Sequence, residues 1–354
     1  MKIMILAGEE SGMIYAARLA EMLSGHEIRG YSDYGFKTSD MAVMGFAAVV
    51  RKLPYFIRVK KTMQKAICEW RPDVLCTIDY PGMNLKLAAF AKARGVRTVH
   101  VVCPQVWAWK AGRIPQIEAS IDRLCCFLPF EPALFKPGFA EFAGHPLVET
   151  FGAADESRRE KNLVALLPGS RVGEIERILP SMLEALELLP GARAEIPAAN
   201  EGAKAAILRI LSASGAKARV TDGGARDLLF RADCAAVASG TATLESALAR
   251  CPTALVYKVS PALAWFARRV IKGVRHIGLV NVVWEKTGGE GEPPMPEFLQ
   301  EAFTPSAVAS RLGAWLGDPS ARAAAVRALD GATAKLKTGS SAFDRIAAAV
   351  LGSV

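Results

Sequence analysis

Short apolar runs alternate with amphipathic stretches along almost the whole chain. Runs such as Ile3–Ala7, Val74–Ile78 and Leu163–Leu167 are apolar or nearly so, and each is followed at once by glycine, aspartate or proline. Continuous runs of this kind are typical of strands buried on both faces of a parallel sheet. The stretches between them place apolar residues at every third or fourth position, which predicts helices packed on a sheet. The alternation therefore indicates a doubly wound α/β protein.

The alternation is interrupted by a polar stretch at residues 153–162 and then starts again. We therefore expect two Rossmann-like domains with a cleft between them, at residues 1–155 and 156–310, followed by a helical tail at residues 311–354. The strands predicted before the interruption are Ile3–Ala7, Glu27–Tyr31, Val74–Ile78, Arg97–Val102 and Arg123–Phe127. Those predicted after it are Leu163–Leu167, Arg193–Pro197, Ala218–Val220, Cys234–Ala238 and Thr253–Tyr257.

Two glycine-containing turns in the second half combine the features of a phosphate site. One follows the run Leu163–Leu167, the other follows Cys234–Ala238, and each leads into a helical pattern. Backbone N–H groups in such turns, together with a helix N-terminus, hold phosphate, and an arginine adds a bidentate charge. We expect a nucleoside diphosphate pocket built from Gly169, Ser170, Arg171, Ser239, Gly240 and Thr241, with Glu245 accepting from ribose hydroxyls and Asn281 as a further donor.

Asp79 is the candidate catalytic group of the first half. It directly follows the run Val74–Ile78, at the end of a strand where open α/β sheets place their ligands. A carboxylate in that position is suited to take a proton from an attacking hydroxyl. The alternative is a capping role at the helix predicted to begin near Asn84. Pro81 and Gly82 make the loop atypical for a simple cap.

Two further segments of the first half are candidates for contact with an acceptor or a cleft. Glu10 and Ser11 lie in a turn without the GxGxxG pattern or a Walker lysine, so dinucleotide binding and P-loop ATP hydrolysis are disfavoured. That turn is interpreted either as a ligand contact or as a tight turn capped by serine. Trp107 and Trp109 follow a predicted strand, and they either line the acceptor site or pack in the core.

The charge of the chain favours anionic partners. The 354 residues carry a formal net charge of +9. Basic residues alternate with large apolar ones in residues 49–65 and 265–272, a mixture typical of a membrane-surface contact and also of a solvated helix face. Because no nucleic-acid-binding module accompanies them, specific binding of nucleic acid is not expected.

Neither a metal nor a cofactor is expected. The seven cysteines and four histidines show no metal-ligand spacing, which favours reduced, buried thiols. The first apolar run is too short for a signal peptide, and no run approaches the roughly 20 residues of a spanning helix. We therefore expect a cytoplasmic protein that associates peripherally with the inner face of the cytoplasmic membrane. Monomer and homodimer both remain open.

A series of motifs, in order along the chain, resembles the lipid-A-disaccharide synthase family. The motifs are GEESG (8–12), AVMGF (42–46), IDYPGMN (78–84), PQVWAWK (104–110), FLPFE (127–131), GHP (144–146), LLPGSR (166–171), ASGTATLE (238–245) and PEFLQ (296–300). The resemblance extends from about residue 4 to residue 300, and it is carried by the combination of motifs rather than by any single one.

The resemblance implies a GT-B inverting glycosyltransferase of lipid A biosynthesis. It would transfer 2,3-diacylglucosamine from UDP to 2,3-diacylglucosamine 1-phosphate, giving the β-1′,6-linked disaccharide 1-phosphate and UDP without a dedicated metal. At matching positions, Asp79 would be the base near the acceptor 6-hydroxyl, and the Val49–Ile57 region would meet acyl chains and the membrane surface. The residues that would hold UDP are Arg171, Ser239, Gly240, Thr241, Glu245 and Asn281.

The chain departs from the family pattern at three positions. Met13 stands where the family usually has aspartate, Gly82 where a second acidic residue is common, and Gln105 where serine is usual. All three lie in the half expected to bind the acceptor. They bear on acceptor choice and catalytic efficiency more than on UDP binding.

Two other functions are compatible with the residues. The first is another GT-B enzyme that uses a UDP-sugar, such as an epimerase or a different lipid glycosyltransferase. An epimerase would release free sugar without an acceptor, so an assay with and without the acylated acceptor separates the two. The second is a non-catalytic protein that binds a UDP-sugar, for which replacement of Asp79 would remove no turnover.

Overall fold

The computed structural model describes residues 1–37, 52–221 and 223–352, with only the backbone of Glu10, Ser11 and Arg268. The chain folds into two compact units, the first comprising Met1–Glu149 and Thr338–Val354, the second comprising Thr150–Lys337. The first boundary thus lies a few residues before the position 155 expected from the sequence. The AVMGF motif and residues 49–51 lie outside the described residues.

The first unit contains a six-stranded sheet in which every pairing is parallel, in the order β2-β1-β3-β4-β5-β6. Three of the strands are buried along nearly their whole length, which explains their continuous apolar runs. The elements are β1 Lys2–Ala7, α1 Glu10–Met22, β2 Glu27–Arg29, α2 Leu53–Trp70, β3 Val74–Ile78, α3 Pro81–Lys92, β4 Arg97–Val101, α4 Ile114–Ser120, β5 Arg123–Cys126, β6 Ala140–Phe142 and α5 Pro146–Thr150.

The second unit repeats this architecture with a second parallel sheet, in the order β12-β11-β10-β7-β8-β9. The edge strand β12 was not predicted, because its three residues are only half-buried and follow a proline-rich loop. The elements are β7 Glu160–Leu167, α6 Val172–Glu187, β8 Arg193–Ile196, α7 Glu201–Ser212, β9 Ala218–Val220, α8 Ala225–Arg231, β10 Ala232–Ala238, α9 Thr241–Leu248, β11 Thr253–Tyr257, α10 Pro261–Val270, α11 Leu279–Lys286, β12 Glu297–Leu299, α12 Pro305–Gly317 and α13 Pro319–Ala334.

The last helix, α14 (Ala342–Leu351), packs on the sheet of the first unit beside α1. The Arg97 guanidinium donates to the carbonyl oxygens of Ala349 and Val350, at 2.6 and 2.7 Å, and so satisfies carbonyls at the C-terminus of that helix. The segment expected as one tail, residues 311–354, is therefore divided between the two units. Within residues 1–37, 52–221 and 223–352, no helix has both the length and the apolar content needed to cross a bilayer.

Both sheets contain a point at which the strand order reverses. In the first unit it lies between β1 and β3, where Ala7 pairs with Ile78. In the second unit it lies between β7 and β10, where Leu167 pairs with Val237. Open α/β sheets bind ligands outside the carboxyl ends of strands at such a switch point. The residues that follow these four strands are therefore the candidates for function in each unit.

Candidate functional site

The switch point of the second unit opens into a pocket of about 470 Å³. Its walls come from the turns after β7, β8 and β10 and from the N-terminal end of α8. Six of the residues expected from the sequence line it together: Gly169, Ser170, Arg171, Ser239, Gly240 and Thr241. Helices α6 and α9 begin at this pocket, and their first N–H groups have no partner within their own helix. The site therefore combines two helix N-termini, which favour an anion.

Two glycines give the pocket its shape. Gly169 has φ +107° and Gly240 has φ +155°, conformations that residues with a side chain rarely adopt. A Cβ on Gly169 would also lie 2.8 Å from Oε2 of Glu174. Any larger residue at position 169 would therefore strain the turn and push Glu174 away from its place in the pocket wall.

Arg171 and Glu174 form an ion pair at the mouth of the pocket. The Arg171 Nη1 atom lies 2.5 Å from Glu174 Oε1, and the arginine side chain is 52% exposed. Both residues line the pocket. The guanidinium is thus held at the pocket by a carboxylate from the first turn of α6.

Glu245 lies in α9, one turn after Thr241, and is half-buried outside the residues that line the pocket. Burial raises the pKa of its carboxyl, and the charge of Arg226 opposes that rise. The same arginine donates to the carbonyl oxygens of Thr150 and Phe151, and its guanidinium lies over the Phe151 ring at 4.8 Å. Arg226 therefore connects the beginning of the second unit to the carboxylate of α9.

Asn281 is placed away from the pocket. Its side chain is fully buried, and its amide nitrogen donates to Met295 O at 2.7 Å and to Glu297 Oε1 at 2.8 Å. Its side-chain oxygen accepts from Met295 N at 3.0 Å. The structure thus shows Asn281 joining α11 to Met295 and to the first residue of β12, with its hydrogen-bonding groups used inside the unit.

At the switch point of the first unit, Asp79 follows β3 with φ +49°, and Tyr80 follows it with φ +51°. The Asp79 N–H donates to Val101 O at 2.9 Å, and its Oδ1 accepts from Tyr80 N at 2.8 Å. Burial raises the pKa of the Asp79 carboxyl, and the hydrogen bond from Tyr80 N partly opposes that rise. A carboxylate of raised pKa is better matched to proton transfer near neutral pH.

Asn84, on the first turn of α3, fixes this unusual backbone. Its amide nitrogen lies 2.8 Å from Asp79 O and 3.2 Å from both Leu6 O and Ile78 O. Its oxygen accepts from the Tyr31 hydroxyl at 2.9 Å. Asn84 is fully buried. One side chain therefore ties the ends of β1 and β3 to the turn after β2.

Glu9 lies next to Asp79, across the same switch point. The pKa of the Glu9 carboxyl is raised, first by burial and then by the negative charge of Asp79. The preceding Gly8 makes this approach possible, because a Cβ there would lie 2.5 Å from the Tyr80 ring. The neighbouring Glu10 and Ser11 begin α1, and their side chains lie outside the described residues.

The two tryptophans have different surroundings. Trp107 Nε1 donates to Glu131 Oε1 at 2.9 Å, which joins the PQVWAWK segment to FLPFE. Trp109 is 39% exposed, and the Lys110 ammonium lies 4.2 Å from its ring centroid. The structure therefore places Trp107 in a packed, hydrogen-bonded position and leaves Trp109 at the surface.

Among the described residues, Cys103, Cys126 and Glu131 bring metal-capable atoms within 4.8 Å of one another, and all three are buried. The Glu131 carboxylate is already held by N–H donors from Trp107 and from Leu128 N, the latter at 3.1 Å. Burial nevertheless raises the pKa of Glu131 to about 7. The group is thus explained by loop packing and does not require a cation.

Sequence reasoning missed Glu9, Glu174, Asn84 and Arg226 as members of these sites. Glu174 carried a usable signal, since it lies three residues after Arg171 at helical spacing. Asn84 was recognised only as the start of a helix. Its role depends on contacts with residues that are distant in the chain, and no local pattern reports those.

Comparison with known proteins gives a consistent result. Residues 3–349 match the family model described as lipid-A-disaccharide synthetase. A lipid-A-disaccharide synthase of Syntrophus aciditrophicus (strain SB) is 37% identical over 351 residues, covering 91% of this chain and 90% of that protein.

Solved structures share the fold at low sequence identity. The S. aureus MnaA–UDP co-structure has a TM-score of 0.61 and 11% identity, covering 100% of this chain and 97% of its own. CalG4, the calicheamicin glycosyltransferase, has a TM-score of 0.59 and 11% identity, with 99% and 98% covered. The two Rossmann-like units are therefore those of the GT-B class.

Proposed function

Because this chain belongs to the lipid-A-disaccharide synthase family, we propose that its second unit holds the UDP of the donor and that its first unit activates the acceptor. The protein is a glycosyltransferase of lipid A biosynthesis, using a UDP-sugar donor and a glycosyl acceptor. The family's reaction transfers 2,3-diacylglucosamine from UDP to 2,3-diacylglucosamine 1-phosphate with inversion, giving the β-1′,6-linked disaccharide 1-phosphate.

The observation that carries the UDP assignment is the joint pocket of the two glycine turns. Two phosphates of a diphosphate carry charge that the N-termini of α6 and α9 are oriented to stabilise. Arg171 would exchange its ion pair with Glu174 for the departing phosphate. A cation and fixed backbone dipoles at the leaving group stabilise the charge that develops as the glycosidic bond breaks. Glu245, one turn further into α9, would accept from the ribose.

Asp79 is proposed as the base that takes the proton of the acceptor 6-hydroxyl. Its left-handed backbone, held by Asn84, keeps the carboxylate at the end of β3. The Glu9 and Asp79 carboxylates repel each other when both are ionised. The two together would therefore retain one proton more readily than two isolated carboxyl groups. Glu10, Ser11, Trp107 and Trp109 are proposed to lie along the acceptor's path, Trp109 through its exposed ring.

A peripheral contact with the inner membrane surface is supported in each unit separately. In the first, Leu53 and Ile57 of α2 are 52% and 47% exposed, on a helix that also carries several lysines. In the second, Leu263, Trp265 and Phe266 of α10 are more than half exposed, and the Arg269 guanidinium lies 3.9 Å from the Trp265 ring centroid. Exposed aromatic and aliphatic side chains beside cations suit a surface of anionic lipid.

The test is to incubate the purified full chain with UDP-diacylglucosamine and diacylglucosamine 1-phosphate and to detect the disaccharide 1-phosphate by mass spectrometry. Asp79→Asn should lower kcat by about 10²–10⁴-fold, the usual worth of a general base. The dissociation constant for UDP should remain within about twofold, because Asp79 and the pocket for UDP are on different units.

A matched control is Asp73→Asn, at the opposite end of β3, where Asp73 Oδ2 accepts from Lys2 N. That variant should retain the turnover of the wild type. Unchanged turnover in Asp79→Asn would refute the assignment of the base. Release of free sugar without an acceptor would instead indicate an epimerase.

A further inference from the structure

The first unit contains a groove that the proposed chemistry does not use. It has a volume of about 490 Å³ and lies at the β2 edge of the sheet, between α1 and the short helical turn Tyr31–Tyr34. Gly30 brings that turn close to β1, because a Cβ at position 30 would lie 2.9 Å from Ile5 O. The groove is therefore built into the way β2 leaves the sheet.

The walls of the groove are mainly apolar. Helix α1 contributes Met13, Ala16, Ala17 and Ala20, which share one face because they lie three or four residues apart or beside one another. The strands contribute Ile5 and Ile28. Small alanine side chains leave depth on the helix side, while Ser32, Asp33 and Lys37 are exposed at the rim. Arg29 also lines the groove, and its guanidinium lies over the Trp70 ring, 4.8 Å from the centroid. A chain of methylenes fits such a lining better than a sugar, which would require polar partners along the walls.

The groove is connected to the candidate base by specific contacts. Tyr31 lines the groove, and its hydroxyl donates to Asn84, whose amide nitrogen lies 2.8 Å from Asp79 O. Ala7 also lines the groove, and its partner in β3 is Ile78, the residue before Asp79. Since neighbouring strands are about 4.8 Å apart, the inner end of the groove lies within a few strand spacings of that carboxylate.

We propose that this groove binds an acyl chain of the acceptor, with Met13, Ala17 and Ala20 forming its helical wall. The inference rests on the proposed function, which supplies an acylated sugar phosphate as the acceptor. The sugar would then lie toward the end of β3 and the polar head group toward the exposed rim.

The chemistry predicts how affinity depends on chain length. Each methylene that leaves water for an apolar groove strengthens binding by about fourfold, until the groove is full. A side chain that fills the groove should therefore weaken long-chain acceptors much more than short-chain ones. The effect should appear in KM, because the acyl chain does not react.

The test compares Ala17→Trp with Ala93→Trp, a control at the exposed C-terminal end of α3 and outside the groove. Acceptors carrying dodecanoyl chains and butanoyl chains are assayed with the same UDP-linked donor. Ala17→Trp should raise KM for the dodecanoyl acceptor at least tenfold, with kcat and the butanoyl KM unchanged. Ala93→Trp should resemble the wild type, and Ala20→Phe provides a second filling variant should Ala17→Trp not fold.

A binding measurement separates this inference from the proposed function. Calorimetric titration with dodecanoyl glucosamine 1-phosphate, below its micelle concentration, needs no turnover. At least tenfold weaker binding to Ala17→Trp than to Ala93→Trp supports the groove even if no disaccharide forms. Equal binding and equal KM in the two variants would overturn the inference while leaving the glycosyltransferase reaction intact.

Discussion

The two switch points of this protein are built in opposite ways. In the second unit the pocket is made largely of backbone, from two glycine turns and the beginnings of α6 and α9. In the first unit the corresponding place is made of side chains, with Asp79 held through Asn84 and accompanied by Glu9. The same position in the same kind of sheet therefore presents fixed backbone N–H groups in one unit and a pair of titratable groups in the other.

The difference agrees with what each of the two proposed ligands would require. A diphosphate carries its charge in every state, so fixed N–H groups and an arginine can hold it without changing protonation. A hydroxyl must lose a proton during the reaction, so the group beside it has to exchange one. The backbone cannot do this near neutral pH, and a carboxylate of raised pKa can.

After the loss of turnover expected in Asp79→Asn, the next test of this contrast is at Arg171, the one side-chain cation proposed to bind the phosphates. Arg171→Lys keeps the charge and loses the planar fork. We expect UDP to bind about 10- to 100-fold more weakly, the worth of one or two charge-assisted hydrogen bonds. Titration calorimetry with UDP measures it. Arg177→Lys, on the exposed side of the same helix, should leave UDP affinity unchanged. Equal affinities in both variants would mean that the backbone alone holds the diphosphate.

A smaller effect is expected at Asn84 in the first unit. Asn84→Ala removes the donor to three carbonyls and the acceptor of the Tyr31 hydroxyl, which should lower stability by about 1–3 kcal/mol. Because the backbone of Asp79 loosens, kcat should fall by about 10- to 100-fold and KM should change little. Tyr31→Phe removes only one of these bonds and should lower kcat by less.

The pH profile of kcat shows whether Asn84 positions Asp79 or only stabilises the fold. A positioning role moves the acidic limb of the profile, since the surroundings of the Asp79 carboxyl change. A profile that keeps its shape while both variants lose stability would assign Asn84 to the fold alone.

The same contrast explains which features could be predicted from sequence. The turns that begin at Gly169 and Ser239 are local motifs, in which glycine, hydroxyl and charge follow one another within a few residues, and the structure brings them into one pocket. The group around Asp79 joins residues from β1, β3, α3 and the turn after β2, and only the folded sheet brings these together. Asn281, expected at a ligand because it is polar in an apolar run, forms hydrogen bonds to Met295 and Glu297 in the structure, and its contact with UDP stays a prediction.

Two short edge strands, one in each unit, were missed for a related reason. Strands β6 and β12 each have three residues, all of them half-buried, so they leave no continuous apolar run in the sequence. Their pairing is set by neighbours that have already formed, β5 in one unit and β11 in the other. Central strands such as β3 and β10 are buried on both faces and were predicted within a few residues.

The smallest expected effect concerns acid stability, and it also distinguishes the units. In the first unit His100 is fully buried in β4, with Nδ1 2.7 Å from the Thr77 hydroxyl, and burial lowers its pKa to about 3. In the second unit the buried Glu195 pairs with Arg231 at 2.5 Å and Arg219 at 2.7 Å. Burial opposes ionisation there, but these arginines prevail and the pKa of Glu195 falls to about 2.

Both groups lose their contribution to stability as the pH falls, but over different pH ranges. Unfolding lets His100 take up a proton below its ordinary pKa of about 6.5, so its contribution to stability is lost as pH falls from about 6.5 toward 3. Glu195 loses its contribution only below about 4.5, as pH falls toward 2. Between pH 6.5 and 5 acid should therefore act on the first unit through His100, by up to about 1.4 kcal/mol per pH unit, and His145, whose pKa burial lowers to about 4, should add to it in the same direction.

His100→Gln should remove the part of the pH dependence of stability that comes from His100. Hydrogen exchange of the amides in β3 and β4, compared between variant and wild type at each pH, measures it within the first unit alone. Glu131 changes the stability of the first unit in the opposite direction. Because its pKa is about 7, its contribution to stability is lost as pH rises from 4.5 to 7. The contribution of His100 is therefore obtained only as the difference between variant and wild type. Exchange in β7 and β10 of the second unit should not change. If the difference in β4 were independent of pH, the buried histidine would not be the group through which mild acid acts.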